Sequence, residues 1–235
     1  MNTTLHKANT RGHANHGWLD AHHTFSFANY FNPERVNFGV LRVLNDDRID
    51  PKMGFGTHPH DNMEIISIPL EGALEHKDSM GNTAIIRKGE VQAMSAGTGI
   101  YHSEYSREEV TKLLQIWLYP NKRNVTPRYT QIELDETKLH NNLQQIVSPN
   151  ENDEGVTIHQ DAWFSLGKLD NGFSTDYTIK KSGNGVYAFV IKGDVTIAGQ
   201  ALNERDGFGI WNADKISIEA NSDAEILLMD VPMTL

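Results

Sequence analysis

The sequence predicts an all-β protein, a sandwich or barrel, assembled from two copies of one β-unit. Three observations lead there. The apolar segments are short and end in glycine-centred turns, as in IISIPLEG and AIIRKGE. Helical periodicity is almost absent. The stretch YAFVIKGDVTIAGQALNERDGFGIW (187–211) also lies over residues 65–94 when Gly193 is set on Gly72 and Gly207 on Gly89. A chain of 235 residues suits one large domain or two of about 100–120 residues each.

Residues 1–35 are irregular and rich in histidine. His6, His13, His16, His22 and His23 follow no metal-ligand spacing and are expected as surface or hydrogen-bonding side chains on a long N-terminal arm. In HTFSFANYF (23–31) the alternation of Phe25, Phe27 and Phe31 predicts a strand with an aromatic face. Residues 38–49 read as another strand ending in a polar turn. Asn45, Asp46 and Asp47 there lack the glycine and distal glutamate of a calcium loop, so they read as turn formers. The H-P-H segment follows, and then an aliphatic strand, Ile65 to Gly72. Met80-Gly81-Asn82 turns a hairpin, in whose alternating arm His76 is expected to face solvent. Residues 113–120 form a buried strand with one amide inside it, Gln115. The polar stretch 121–129, with Pro127, reads as a linker, and a short helix is expected from Asp135 to Leu143. The two units are accordingly placed at 1–125 and 126–235.

Composition removes several function classes. The net charge of −10, without any Lys/Arg run, argues against a nucleic-acid surface. The absence of cysteine excludes disulfides, thiolate catalysis and Cys-ligated metal. No apolar run approaches the ~20 residues of a membrane span. The N-terminus lacks the apolar core of a signal peptide, so a soluble, cytoplasmic protein is expected. It is expected to be a monomer, because the two units can pack on each other.

Chemistry concentrates in GFGTHPHDNME (54–64) and SAGTGIYHSE (95–104). Residues two apart in a strand point to one face. His58 and His60 would therefore aim into one space, and His102 and Glu104 would do so from a second strand. Three nitrogens and one carboxylate suit a divalent first-row ion, and burying that much polarity without a partner is costly. Spacing alone leaves the carboxylate open between Glu104 and Glu64. Gln115 is expected either to face the pocket or to pair with backbone, and Phe27, Phe38, Met53 and Phe55 are candidate apolar walls for an aromatic ligand. Counted back from the matched glycines, His58 and His60 fall on Ile179 and Lys181, and no histidine follows His159. The second unit is expected to bind no metal.

The motifs HTFSFANYF, LRVLNDDRI, FGTHPHDNMEI, MSAGTGIYHSE and LLQIWLYP together resemble the pirin family, and the second half resembles a degenerate cupin without ligands. The resemblance implies two tandem cupin barrels, the N-terminal one holding a metal on His58, His60, His102 and Glu104. Glu64 is left to a supporting role. It also implies an activity like that of bacterial quercetin 2,3-dioxygenases: O2 opens the heterocycle of a flavonol such as quercetin, carbon monoxide leaves, and Glu104 acts as general base. One ion per chain is implied, iron foremost, with manganese, cobalt, nickel, copper or zinc as alternatives. The competing reading is a metal- or redox-responsive regulator that acts through a partner without turnover.

Overall fold

Alternating, β-branched segments make strands throughout the computed structural model, which describes residues 1–234. The first half runs β1 (Asn2–His6), β2 (Gly12–Asn15), β3 (Leu19–His23), β4 (Leu41–Ile49), β5 (Gly54–His60) and β6 (Glu64–Glu71). It continues with β7 (Ala73–Asp78), β8 (Thr83–Arg87), β9 (Glu90–Ser95), β10 (Ile100–Ser106), β11 (Thr111–Leu118) and β12 (Arg128–Glu133). A single helical turn, α1 (Glu136–Leu139), follows. The second half holds β13 (Gln144–Ser148), β14 (Val156–Thr157), β15 (Trp163–Leu169), β16 (Ser174–Thr178) and β17 (Asn184–Lys192). It ends with β18 (Val195–Ile197), β19 (Gln200–Leu202), β20 (Gly207–Trp211), β21 (Lys215–Ala220) and β22 (Ala224–Pro232).

Each half is a barrel of one seven-stranded and one four-stranded sheet. The first has the orders β12-β9-β6-β11-β4-β3-β2 and β5-β10-β7-β8; the second has β1-β20-β17-β22-β15-β13-β14 and β16-β21-β18-β19. The expected division at 125/126 is crossed twice. β1 pairs with β20 of the second barrel, from Asn2 opposite Trp211 to His6 opposite Gly207. β12, inside the segment assigned to the second unit, pairs with β9 of the first. Each barrel edge is thereby covered by a strand from across the boundary.

Alternation also assigns the cores. On β6, Ile66 and Ile68 join the large core between the barrels, whereas Ile65 points into the first barrel. On β17, Tyr187, Phe189 and Ile191 face the shared core, whereas Val186, Ala188 and Val190 fill the second barrel. The interior of the second barrel is one continuous apolar cluster. That of the first is two small clusters, one around Leu74, Ile86 and Leu113, the other around Ile65, Met94 and Ile100.

Several expectations are corrected. Residues 24–31 are not a strand: the chain bends after β3, Phe25 enters the shared core, and Phe31 is left 75% exposed. Asn45, Asp46 and Asp47 form no turn but lie inside β4. Asn45 and Asp47 face the barrel interior, and Asp46 pairs outward with Arg11 and Arg205. Of the two roles open to the N-terminal histidines, His6 and His23 take the hydrogen-bonding one and are buried: His6 meets the Tyr187 hydroxyl at 2.8 Å and His23 meets Asn45 at 2.9 Å. The helix is one turn long. Asp135 caps it, accepting from Thr137 N at 3.0 Å, and the chain leaves it through Asn141 at φ 49°.

Candidate metal centre

β5 and β10 pair antiparallel with His58 opposite His102 and His60 opposite Ile100. A register shift between His102 and Glu104 then sets Glu104 against Phe55. Gly54 permits the close approach, since a Cβ there would collide with the backbone of Glu104 and Tyr105. The rings of His58, His60 and His102 lie 4.4 to 4.9 Å apart, centroid to centroid. Each offers a nitrogen within 4.8 Å of the other two.

The nitrogens are prepared for coordination. His58 Nδ1 lies 2.8 Å from Gly56 O, a carbonyl that can only accept, so Nδ1 carries the proton and Nε2 carries the lone pair. Burial, reinforced by His58, pushes His60 down to about 4. Burial, with His58, His60 and His76 adding to it, pushes His102 down to about 2. Both rings are therefore neutral at ordinary pH, the form that binds metal. His102 Nε2 is buried without a hydrogen-bond partner among the described residues. An orphaned nitrogen of this kind costs about 1–3 kcal/mol. With two more imidazoles at ligand distance, the donor set fits a divalent first-row ion.

Glu104 is buried behind this triad. Its Oε2 accepts from Gln115 Nε2 at 2.8 Å, and Gln115 Oε1 accepts from Ser67 Oγ at 2.9 Å. Ser67 Oγ also lies 3.3 Å from Glu104 Oε1. Ser67 has one hydroxyl proton to share between these two acceptors, Gln115 Oε1 at the shorter distance and Glu104 Oε1 at the longer. Burial pushes Glu104 up to about 7 against the lowering effect of Ser67 and Gln115. Its carboxylate groups within 4.8 Å with His102 and His76 rather than with the full triad. Gln115 thus faces the pocket, the first of the two alternatives open to it.

Other candidates lie elsewhere. Glu64 shares the face of Ile66, so it points between the barrels and not into the site. It accepts from Ser95 Oγ at 2.6 Å and from His159 backbone, and burial pushes it up to about 7. Phe38 is no pocket wall either. It packs on Tyr187 and Trp211 in the shared core, with centroids 5.4 and 5.9 Å away. Phe55 packs on Trp18 at the apolar end of the first barrel, and Met53 is exposed on the surface. Phe27 stays near the triad through Trp117, which lies 5.4 Å from it and 4.8 Å from His60.

Sequence reasoning missed Ser67, Trp117 and His76. His76 is fully buried, contrary to the expectation that it faces solvent. The signal was available: it shares its strand face with Leu74 and Asp78, while Glu75 and Lys77 take the other face. Among the N-terminal histidines, His13 and His22 oppose each other on β2 and β3 and gather with Asp20 on the surface.

The register explains why, among the described residues, the second barrel has no counterpart of the triad. Leu74 opposes Ser106 as Val195 opposes Ala220. Ile216 and Ile218 therefore occupy the places of His102 and Glu104. Ile216 opposes Tyr177 as His102 opposes His58, with Ile179 two residues on. Counting from glycines had slipped by two residues. The slip recurs downstream, because the counterpart of Gly89, at φ 87°, is Arg205 at φ 67° and not Gly207. Tyr177, Ile216 and Ile218 are part of an apolar core.

Known proteins resemble this chain along nearly its whole length. Residues 4–118 match the Pirin family model, and residues 145–231 match one described as the quercetinase C-terminal cupin domain. Quercetin 2,3-dioxygenase of Escherichia coli K12 is 48% identical over 230 residues, 97% of this chain and 98% of that protein. A pirin-like protein of Caulobacter vibrioides is 40% identical over 93% of this chain and 95% of its own. The crystal structure of the Escherichia coli bacterial pirin YhhW in complex with nickel(II) matches with a TM-score of 0.93 at 46% identity, covering 98% of this chain and 99% of that one.

Proposed function

The chain belongs to the pirin family, and from that premise we propose that it opens the heterocycle of flavonols such as quercetin with O2, releasing carbon monoxide. The observation that carries this reading is the gathering of His58, His60 and His102 at ligand distance, with the buried carboxyl of Glu104 beside His102. His58, His60 and His102 would hold one divalent ion, with Glu104 as a fourth ligand or as the base beside it. When bound, such an ion supplies Lewis acidity toward an oxygen of the substrate.

The protein's own groups do the rest. Glu104 accepts the flavonol 3-hydroxyl proton at an oxygen atom of its carboxylate, and a group titrating near neutrality is matched to that transfer. Gln115 Nε2–H stays on the other oxygen and steadies the anion before the proton arrives. Ser67 holds the Gln115 amide in the orientation that does so. Trp117 and Phe27 give the aromatic substrate an apolar flank. The acceptor of O2 is the flavonol itself. The nickel-bound relative supports a transition metal as the cofactor.

Carbon monoxide released from quercetin under air tests the reading. Protein reconstituted separately with iron, manganese, cobalt, nickel and copper is compared with His60→Ala. Metal-dependent CO above that blank is expected. No CO with any ion, in protein shown to hold one, would overturn the activity and leave a metal-responsive regulator.

A further inference from the structure

Behind His102 lies a second histidine. His76 Nδ1 is 3.5 Å from His102 Nδ1, and His76 Nε2 is 3.1 Å from Asp78 Oδ2. The side chains of His76 and Asp78 are wholly buried. Asp78 is itself fixed by the hairpin turn, accepting from Met80 N at 2.9 Å, Asn82 N at 3.0 Å and Asn82 Nδ2 at 2.8 Å. The Tyr129 ring covers His76 at a centroid distance of 4.8 Å.

Proton positions follow from acceptor chemistry. A carboxylate that receives three donors from the turn can only accept from His76, so His76 Nε2 carries the proton. Neutral His76 then presents a lone pair at Nδ1. Two ring lone pairs facing each other at 3.5 Å repel, whereas a proton on His102 Nδ1 turns the contact into a long hydrogen bond. That proton leaves the lone pair of His102 on Nε2, the atom that is orphaned beside His58 and His60.

We propose that Asp78 and His76 form a relay that locks His102 in the Nδ1–H tautomer, so that its Nε2 is ready to bind metal before any metal arrives. His76 is a positioning residue. It touches neither ion nor substrate and acts only through His102, and the proposal rests on His102 being a ligand. The β7–β8 turn thereby becomes part of the metal centre's support, although it lies on the strand pair beyond β10. Partners of this kind typically contribute about 10–100-fold to metal affinity.

Ring nitrogen shifts in metal-free, 15N-histidine-labelled protein report the tautomer directly. The wild type is expected to show His102 protonated at Nδ1 and His76 protonated at Nε2. His76→Phe should release His102 to the other tautomer and weaken Ni2+ or Co2+ binding about 10–100-fold. His76→Gln, whose Oε1 accepts from His102 Nδ1–H, should restore the tautomer and most of the affinity. Rescue by size alone is excluded by His76→Phe, which fills the same space without an acceptor. A wild-type His102 protonated at Nε2 would overturn the relay even if His76→Phe failed to fold. A second ion bound between the two rings, with the Nδ1 proton lost, would also overturn it. Absence of CO release from quercetin would leave these readouts unmoved, so failure of the dioxygenase reading is distinguishable.

Discussion

Two buried carboxyl groups, Glu104 and Glu64, are both pushed up to about 7, yet they face different compartments. Glu104 sits behind the histidine triad, and Glu104→Gln keeps a neutral hydrogen-bonding group there while removing the base. Ion content should be largely retained, measured as metal per chain, and turnover should fall about 10²–10⁴-fold. Full activity would remove Glu104 as base. Glu64 serves to isolate the cost of burying a carboxylate. Its unfolded value is 4.5 and its folded value about 7. Between the two, the folded chain keeps a proton that the unfolded chain has lost, so stability falls as pH rises through this window. Below it the contribution is fully present, and above it the loss is complete. At about 1.4 kcal/mol per pKa unit, the difference between wild type and Glu64→Gln should shift by about 3 kcal/mol between pH 4.5 and 7. Urea unfolding at several pH values checks this, and a constant difference would refute it.

The paired strands β5 and β10 were legible because H-x-H and H-x-E each fix a face by period two, a property that needs no tertiary information. The hairpin at Met80-Gly81-Asn82 was legible for a similar reason, Gly81 standing at φ 94°. What could not be read is which way a face points once both sides of a sheet are buried. Glu64, Ile66 and Phe38 belong to the side between the barrels, and only the packing of the second barrel decides that. Residues 24–31 alternate like a strand, but Phe25 is drawn inward and the backbone turns to follow it. The closeness of β5 to β10 depends on Gly54 having no side chain. Gly54→Ala should push the strands apart, destabilise the protein by about 1–3 kcal/mol, and lower metal affinity. Calorimetric titration with Ni2+ is the check, and unchanged affinity would show that the triad does not depend on this approach.

Across the whole molecule, one scaffold is used twice with opposite fillings. Imidazoles, carboxyls and amides occupy the middle of the first barrel, while the corresponding positions of the second are Tyr177, Ile179, Ile216 and Ile218. A polar interior contributes little hydrophobic stabilisation, so the second barrel and the shared core carry most of the apolar burial. β1 ties this arrangement together through its ladder to β20, the His6–Tyr187 contact and the Lys7–Asp206 ion pair. Removing residues 1–7 would uncover the β20 edge and lower the melting temperature. A loss of about 2 kcal/mol corresponds to about 4–8 °C in a chain of this size. An unchanged melting temperature would show that β1 contributes nothing to stability. The same ladder has a consequence for the order of events during synthesis. β1 is translated roughly 200 residues ahead of β20, which at about 5–20 residues per second means a wait of about 10–40 s with no edge to join. The first barrel can close on β12 well before then, and β1 is the strand that must remain unclaimed until the chain is nearly complete.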